Sequence, residues 1–450
     1  MGRITLQQAA QWCGGRINPK YKDVTFLGAN NDTRKLQAGQ LFVALKGVRD
    51  GHDFIPAALE KGAAAVLCTH ADGDYPAIVV EDTRIALGDI ARNERQRLGM
   101  KVVAVTGSVG KSTTKEMIAT VLDGTYKVAK TPVNHNNDIG MPMAILAMPE
   151  DTQVAVLEMG MNHFREIAYL AGIGKPDIAV IINIGTMHIE HLGSQKGILQ
   201  AKMEICEGMS ESGLLVLNGD DNYLWNQEIV TNIPSIYFGI NNANASVFGN
   251  GVEEEDGLLR FHTQTAEKAF SVKLPLNGMH YVSDALAAIT VALKMGVQPE
   301  AIQERLAAFE NMEGRQSIFE AKGFTIINDS YNAGPESMAA ALNVLGNKPG
   351  RRIAVLGDML ELGINAQAEH YKVGRIAAEK ADLLFAFGPT SDRMLNGALT
   401  GGMAGSARAF TDRERLVQIL KLTARPGDVL LFKGSRGMRM ELILEAFLQD

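Results

Sequence analysis

The chain has 450 residues, of which 46% are hydrophobic and 21% are charged, and its formal net charge is −7. This length predicts about three domains of ordinary size, and an acidic balance without a lysine or arginine block disfavours a nucleic-acid-binding protein. The three cysteines form no CxxC pair and no apolar run approaches the length of a membrane span, so we expect reduced thiols, a cytoplasmic location, and neither export nor a membrane span.

The first 98 residues alternate short helical and strand patterns, which predicts a small α/β domain. Helices are predicted at residues 5–13 and 56–61, and strands at residues 40–45, 64–68 and 77–80. Two polar clusters, residues 31–34 and 50–54, lie among them. The DGHDF sequence of the second cluster is typical of a turn with a helix N-cap. Arg34 in the first cluster could instead bind the phosphate or carboxylate of a ligand through two hydrogen bonds.

Residues 101–115 read KVVAVTGSVGKSTTK and carry the strongest functional signal in the chain. A buried strand at residues 102–105 is followed by a glycine-containing loop and a helix that begins near Lys111. Backbone N–H groups and the positive helix end then face an anion, Lys111 adds a full charge, and Ser112 can offer a hydroxyl to Mg²⁺. The common phosphate-loop pattern has glycine where this chain has Val105, so the loop is a shorter variant. The pattern favours nucleotide binding over a purely structural turn.

Two further buried strands, at residues 154–157 and 178–184, alternate with helical segments and predict a doubly wound, mainly parallel sheet. Glu158 follows the first of them, where a carboxylate is costly unless it is paired or binds a metal; a charge at a helix N-terminus is the alternative. His188, Glu190 and His191 follow the second. For these three a functional role and an ordinary turn are equally open.

A helix that begins near residue 197 places Lys202 on the same face as Ile198, Ile205 and Met209. A lysine that points inward loses hydration, its pKa falls, and its free amine becomes reactive or open to modification. The alternative is a lysine that reaches solvent along the apolar stripe, and the residue pattern by itself favours that alternative.

The remaining chain predicts a third α/β block. The acidic run at residues 253–256 reads as a solvated hairpin turn, and a long helix is predicted at residues 282–295. Beyond residue 312, strands are predicted at residues 325–328, 352–356, 383–387 and 429–432, with helices at residues 335–345, 365–380 and 412–422. This is an open sheet of Rossmann-like appearance without a GxGxxG sequence. The loop at residues 433–437 reads either as an anion cradle or as a basic turn.

The motifs of the middle block, TGSVGKSTTK, NHNNDIGMP, EMGMNH, MHIEHLGS and AKMEI, resemble those of the Mur ligases, ATP-dependent amino-acid and peptide ligases of bacterial cell-wall synthesis. The resemblance covers essentially the whole chain. It implies a small α/β N-terminal domain that binds a UDP-sugar peptide (residues 1–98), a central P-loop ATPase-like domain with a parallel sheet that binds ATP (residues 99–312) and a C-terminal Rossmann-like α/β domain (residues 313–450).

Within that family, DTRKLQAGQLFVALKG, DGHDF, NDSYNAGPESM, LGDMLELG and KGSRGMRME are most similar to the member that joins UDP-N-acetylmuramoyl-tripeptide to D-alanyl-D-alanine through an acyl phosphate. The ligase that adds the third residue typically carries DNPR, which this chain lacks. Folylpolyglutamate synthase, another relative, begins almost at its phosphate loop, whereas about a hundred residues precede the loop here. A different Mur-type amino-acid ligase and a non-catalytic nucleotide-binding protein stay open as alternatives.

The resemblance also implies a role for individual residues. ATP would be bound by Gly107, Ser108, Val109, Gly110, Lys111, Ser112, Thr113, Arg315 and Asp329. Two Mg²⁺ ions would be held by Ser112, Glu158, His188 and Lys202, the lysine as a carbamate formed with CO₂, and Lys111, His188 and Lys202 would be the catalytic residues. The substrates would contact Thr33, Arg34, Asp50, His52, Asp53, Tyr331 and Asn332. We expect a monomer.

This chain also departs from the family pattern. Tyr281 and Asp284 stand where the family often has asparagines, which leaves the contacts to adenine open. Gly334 stands where asparagine is common.

Overall fold

The computed structural model describes residues 4–225, 231–255 and 257–449. Within these ranges the strands form three large sheets and one two-stranded pair. The mixed α/β class and the three predicted α/β blocks are confirmed, while the domain boundaries after residues 98 and 312 stay a prediction. None of the described helices is both long and apolar enough to cross a membrane.

The first block is built on a five-stranded sheet of order β2-β7-β6-β5-β4, in which only β2 runs antiparallel to its neighbour. The strands of this block are β1 (Ile4–Thr5), β2 (Arg16–Ile17), β3 (Thr25–Phe26), β4 (Ala29–Asn30), β5 (Leu41–Val43), β6 (Ala65–Cys68) and β7 (Ala77–Val79), of which β1 and β3 form the separate two-stranded pair. Its helices are α1 (Leu6–Cys13), α2 (Ile55–Glu60) and α3 (Thr83–Leu98). Thr5 begins α1 with a capping box, because its hydroxyl accepts from the Gln8 amide and its own amide donates to the Gln8 side chain. The predicted helices and strands of this block are confirmed.

The second block contains a nine-stranded sheet of order β16-β15-β14-β13-β12-β11-β8-β10-β9. Its strands are β8 (Lys101–Thr106), β9 (Val128–Lys130), β10 (Val154–Glu158), β11 (Ile178–Ile181), β12 (Leu214–Asn218), β13 (Ser235–Gly239), β14 (Val247–Glu255), β15 (Leu258–Gln264) and β16 (Ala269–Leu274). Its helices are α4 (Lys111–Leu122), α5 (Gly140–Leu146), α6 (Glu166–Gly174), α7 (Ile189–Leu192), α8 (Gln195–Met203), α9 (Asn222–Trp225), α10 (His280–Lys294) and α11 (Pro299–Ala307). Strands β8 to β14 pair in parallel, and β15 and β16 extend the sheet antiparallel.

Parallel pairing brings three functional segments to one edge of this sheet. Strand β8 lies between β10 and β11, with Glu158 opposite Val105 and Ile181 opposite Thr106. The chain segments that leave these strands therefore start side by side. This is the edge at which open α/β sheets bind their ligands.

The third block has a six-stranded sheet of order β17-β18-β22-β19-β20-β21, parallel except for β17. The strands are β17 (Ser317–Ala321), β18 (Phe324–Asp329), β19 (Arg352–Gly357), β20 (Leu383–Phe387), β21 (Ala407–Phe410) and β22 (Val429–Lys433). The helices are α12 (Pro335–Gly346), α13 (Ala366–Lys380), α14 (Ser391–Thr400), α15 (Arg413–Thr423) and α16 (Met440–Leu448). Strands β17 and β21 and helices α14 and α16 were absent from the sequence prediction.

Three predictions about elements need correction. The strand predicted at residues 178–184 ends at Ile181, because the chain turns there towards the phosphate loop. The acidic residues 253–255 continue strand β14 instead of forming a turn, because they pair with residues 258–260 of β15; Asp256 lies outside the described residues. The apolar helix stripe that we traced to Met209 is interrupted, because α8 ends at Met203 and residues 204–208 form a 3-10 helix.

Hydrophobic packing joins the first two blocks and leaves the third with its own cores. Val102 and Ala104 of β8 pack in one core together with Leu87 and Ile90 of α3. The alternate residues of β8 point to the other face and pack beneath α4 and α10. In contrast, the two cores of the third block contain only residues from 318 onwards.

Candidate active site

The phosphate loop has the predicted strand–loop–helix form. Strand β8 ends at Thr106 and α4 begins at Lys111, after Gly110 with a φ of 84°. Glycine is needed there because the left-handed backbone disfavours a side chain, and because a Cβ would lie 2.7 Å from Oδ1 of Asp284. The Lys111 ammonium folds back over the loop and donates to the carbonyls of Gly107 and Ser108 at 2.8 and 3.1 Å. Burial lowers the pKa of Lys111.

Ser112 and Glu158 meet beside this loop. The Ser112 hydroxyl donates to Oε2 of Glu158 at 2.7 Å, and the Asn136 amide donates to Oε1 at 2.8 Å. Both Ser112 and Glu158 are buried. Glu158 is the last residue of β10 and α6 begins only at Glu166, so the interpretation of Glu158 as a helix N-terminal charge is wrong.

The oxygen pair of Ser112 and Glu158 has the chemistry that a hard divalent cation requires. In the described part of the chain, no group of three or more His, Cys, Asp or Glu side chains converges as a metal cage. A cation held here would therefore complete its coordination with water and nucleotide phosphates, which is the way in which Mg²⁺ is commonly bound.

His188 lines the same cavity from the segment that follows β11. It has a left-handed backbone with a φ of 62° immediately before α7. Its Nδ1 lies 2.5 Å from Oε2 of Glu361, as an ionic contact without the alignment of a hydrogen bond. His188 lowers the pKa of the Glu361 carboxyl. The contact joins the second block to the third.

Lys202 points into the protein. Its exposed fraction is 2%, so the interpretation of a lysine that reaches solvent along the apolar stripe is wrong. Burial lowers the pKa of Lys202 well below its usual range, and repulsion from Lys111 lowers it further. Burial therefore favours the neutral amine over the ammonium form. Lys202 is not among the described residues that line the cavity.

The third block supplies the opposite wall. Arg315 donates from Nη2 to the Ser112 hydroxyl at 3.0 Å, and its guanidinium lies 3.8 Å from the centre of the Tyr331 ring. Lys433 donates to Oδ2 of Asp329 at 2.6 Å and to the carbonyl of Asn332 at 2.9 Å. Burial raises the pKa of Asp329, although Lys433 opposes the shift.

Between the two walls lies a cavity of about 550 Å³. The sequence-predicted residues that line it are Ser108, Val109, Gly110, Lys111, Ser112, Thr113, Glu158, His188, Arg315, Asp329, Tyr331 and Asn332. Gly107 and Lys202 do not line it. The structure thus brings together the residues predicted for nucleotide and metal, while the role of each stays a prediction.

The predicted substrate residues of the first block do not line this cavity. Arg34 is 86% exposed along its side chain and forms a two-pronged ion pair with Asp32, which lowers the pKa of Asp32 to about 2. Asp50 caps the 3-10 helix Gly51–Phe54 by accepting from the His52 amide, so the predicted turn with an N-cap is confirmed. The Thr33 carbonyl accepts from Lys61.

His52 is held in place on both sides of its ring. Its Nδ1 lies 2.6 Å from Oδ1 of Asp50, and its ring stacks on His70 at 4.4 Å. Asp53 is exposed beside this cluster, between His52 and α2.

Sequence reasoning missed several polar residues of the site. Asn183 accepts from the amides of Ser108 and Val109, both at 3.0 Å, and so fixes the phosphate loop. It could have been found as the first polar side chain after a buried run. Asn136, Glu336 and Glu361 lie within the family motifs quoted above but were not singled out, because their partners are distant in sequence.

The departures from the family pattern have structural counterparts. Asp284 accepts from the Thr114 hydroxyl at 2.9 Å, and burial raises the pKa of Asp284 to about 7. The Tyr281 hydroxyl donates to the carbonyl of Arg315. Gly334 lies against Met187, where a Cβ would come within 2.8 Å of Cγ.

Comparison with known proteins gives matches along the whole chain. Family models match as Mur ligase family, catalytic domain (residues 24–95), Mur ligase middle domain (residues 105–292) and Mur ligase, glutamate ligase domain (residues 314–436). The chain is 39% identical to UDP-N-acetylmuramoyl-tripeptide–D-alanyl-D-alanine ligase of Bacillus subtilis, with 100% of this chain and 99% of that protein covered. It is 36% identical to the protein of that name from Escherichia coli, with 99% of each covered.

Solved structures agree with these matches. A crystal structure of MurF from Acinetobacter baumannii has a TM-score of 0.92 and 31% identity and covers all of both chains. MurF ligase from Thermotoga maritima, solved in complex with ADP, has a TM-score of 0.82 and 30% identity over 94% of this chain and 97% of that one.

Proposed function

The chain belongs to the Mur ligase family, and from this premise we propose that it joins UDP-N-acetylmuramoyl-tripeptide to D-alanyl-D-alanine at the expense of ATP. The product is the UDP-muramoyl-pentapeptide of peptidoglycan synthesis, released with ADP and phosphate. The tripeptide carboxylate first takes the terminal phosphoryl group of ATP. The amine of the dipeptide then attacks the acyl phosphate and displaces phosphate.

One observation carries this proposal, namely the junction of Arg315 with Ser112 across the cavity at 3.0 Å. It sets an arginine of the third block against the phosphate loop of the second. Phosphoryl transfer depends mainly on positioning and on positive charge around the transferring group. Lys111 and Arg315 supply that charge from two walls, and Asp329 and the amides of residues 107–113 complete the nucleotide site.

Ser112 and Glu158 would hold a Mg²⁺ ion together with the nucleotide phosphates. When bound, the ion neutralises phosphate charge and orients the terminal phosphoryl group. His188 and Lys202 would hold a second ion, with Lys202 as its carbamate. The low pKa of the Lys202 amine supports this assignment, because the neutral amine is the form that reacts with CO₂.

The substrate ends would lie in different places. The UDP-sugar part would be bound by Thr33, Arg34, Asp50, His52 and Asp53. The Arg34 guanidinium would release its ion pair with Asp32 and bind a phosphate of the nucleotide instead. Tyr331 and Asn332 would lie beside the peptide end and the dipeptide. We place the reaction in the cytoplasm, where ATP is available, and propose a monomer.

The test measures phosphate release by the purified protein with ATP and Mg²⁺, and omits each substrate in turn. We expect release only when both the UDP-tripeptide and D-alanyl-D-alanine are present. Preference for a single amino acid as the acceptor would indicate a different Mur-type ligase. Equal phosphate release without either substrate would refute the proposed ligase activity.

A further inference from the structure

Glu336 reaches from the third block to the segment that carries His188. It is the second residue of α12, after Pro335. Its Oε1 accepts two hydrogen bonds from Thr186, from the amide at 2.9 Å and from the hydroxyl at 3.0 Å. These bonds fix the carboxylate at the boundary between the two blocks.

The second oxygen of this carboxylate has no partner. Among the described residues, none donates a hydrogen bond to Oε2 of Glu336, although this atom is buried. Glu336 lines the same cavity as Lys111, His188 and Arg315. A buried carboxylate oxygen without a donor is costly, which points to a donor that arrives with a ligand.

The carboxylate lies close to the phosphate loop. A Cβ built on Gly185 would be 3.0 Å from Oε1 of Glu336 and 3.1 Å from Cβ of Ser108. A Cβ there would be crowded from both sides, so Glu336 and the loop are separated by little more than one backbone segment. A group bound to Oε2 is therefore near the place where an acyl phosphate would form.

The cations of the cavity are already engaged. Lys433 is paired with Asp329, and Arg315 is bound to Ser112 and stacked on Tyr331. Lys111 donates to its own loop. Arg436, which also lines the cavity, is paired with Glu441 at 3.1 Å. The Mg²⁺ ions of the proposed reaction have ligands of their own in Ser112, Glu158, His188 and Lys202. The ammonium group of the incoming dipeptide, which has three N–H donors, is the cation for which no partner has been assigned.

We propose that Glu336 is a catalytic residue that binds the ammonium group of the acceptor dipeptide and places its nitrogen against the acyl phosphate. This inference rests on the proposed function and names a contact for its second substrate. In the step that it serves, the ammonium group first gives one proton to water, the freed lone pair of the nitrogen bonds to the carbonyl carbon, and the carbon–oxygen bond to phosphate breaks. Phosphate leaves with the electron pair, and the nitrogen gives its second proton to phosphate.

The variant Glu336→Gln tests this contact while it preserves the structure around it. The glutamine carbonyl can still accept both bonds from Thr186, but an amide NH₂ replaces the free oxygen. Loss of a charge-assisted hydrogen bond predicts a rise of about 10- to 100-fold in KM for D-alanyl-D-alanine. KM for ATP and for the UDP-tripeptide should stay unchanged.

The matched control is Glu300→Gln. Glu300 also follows a proline in the first turn of its helix, α11, but it is exposed and distant from the cavity. It reproduces the loss of a carboxylate at a helix N-terminus without a change in the site. We expect wild-type kinetics from this variant.

A second readout separates amine binding from a purely structural role. Hydroxylamine, a small neutral nucleophile, traps an acyl phosphate as a hydroxamate without the need for an ammonium site. In E336Q we expect hydroxamate formation at the wild-type rate, together with impaired transfer to the dipeptide. An equal loss in both reactions, or no change in either, would overturn the proposal.

Should E336Q fail to fold, Glu336→Asp and Glu336→Asn make the same comparison of charge at a shorter length. We expect the aspartate variant to retain more dipeptide transfer than the asparagine variant, and equal transfer would count against the proposal. Measurements on the wild type separate the proposed ligase activity from the proposed role of Glu336. If its phosphate release does not depend on the dipeptide, the proposed function itself fails.

Discussion

The polar residues of the first block and those of the cavity are organised in opposite ways. Arg34 and His52 of the first block pair with aspartates two residues away, and Arg34 stays largely exposed. In the cavity, Ser112 contacts Arg315 and Thr186 contacts Glu336, across 203 and 150 positions of sequence. Local pairs leave a surface ready to exchange partners with a ligand, whereas long-range pairs bring residues of two blocks together around one cavity.

The hydrophobic cores show the same difference. The first and second blocks share one core, so that core resists their separation. The third block meets the second through polar contacts such as His188 to Glu361. Polar contacts can exchange with water and substrate at little cost, and this boundary is the one at which the proposed site would open and close.

The largest expected effect comes from the centre of the cavity. Replacing Lys111 by Ala removes the charge aimed at the transferring phosphoryl group, and we expect kcat to fall about 10³-fold. Lys101→Ala, at the exposed start of β8, is the control and should keep wild-type activity. Wild-type kcat in the Lys111 variant would mean that the phosphate loop is only structural.

Lys202 tests whether the buried amine acts through its carbamate. For Lys202→Ala we expect kcat to fall on the order of 10²-fold, as for other metal-site ligands. A short carboxylate added to the assay should restore part of this loss, because it supplies the missing anionic oxygens. Lys202→Arg keeps a long cationic side chain and serves as the control, and rescue of both variants alike would contradict a carbamate.

Arg34 tests the surface side of the comparison. Arg34→Ala should raise KM for the UDP-tripeptide about tenfold and leave kcat unchanged. A binding contact far from the reacting atoms stabilises the bound substrate and the transition state equally. Arg16→Ala is also exposed in the first block and should have no effect. A fall in kcat for the Arg34 variant would place this residue in the chemistry.

Asp284 and Asp32 sharpen the contrast through pH. Burial raises the pKa of Asp284 to about 7, so the folded protein holds a proton that the unfolded chain loses near the ordinary aspartate pKa of 3.8. Protonated Asp284 therefore makes its full contribution to the free energy of unfolding below the pKa of the unfolded chain. As the pH rises from there to the folded-state pKa, this contribution declines by up to roughly 1.4 kcal/mol per pH unit. Asp284→Asn retains the acceptor for Thr114 and should remove this decline in unfolding experiments between pH 5 and 7.

Asp32 should act with the opposite sign. Arg34 lowers its pKa to about 2, so its contribution to stability is present above the unfolded value and is lost as the pH falls towards 2. Because the pair is exposed, Asp32→Asn should change the unfolding curve only slightly, and only in acid. If the Asp284→Asn and Asp32→Asn variants changed the pH dependence of unfolding in the same way, the contrast between the buried and the exposed carboxylate would be wrong.

Much of this protein follows from its sequence. Residues 102–111 specify a buried strand, a glycine turn and a helix start through local patterns. Glu158 could be placed at the edge of the sheet because parallel strands end together. For Lys202 the residue pattern favoured a solvent-reaching side chain, and only the family resemblance pointed inward, as the structure shows. The family motifs also predicted the activity.

Only the tertiary structure decided which residues meet across blocks. The contacts of Glu336 with Thr186 and of Glu361 with His188 depend on how separate sheets pack, and no periodicity along the chain encodes such contacts. The same is true of the separation of Arg34 and His52 from the cavity. Local patterns fix strands and helices because backbone and side-chain preferences act over a few residues. A site between domains is fixed by contacts between chain segments that are far apart in sequence.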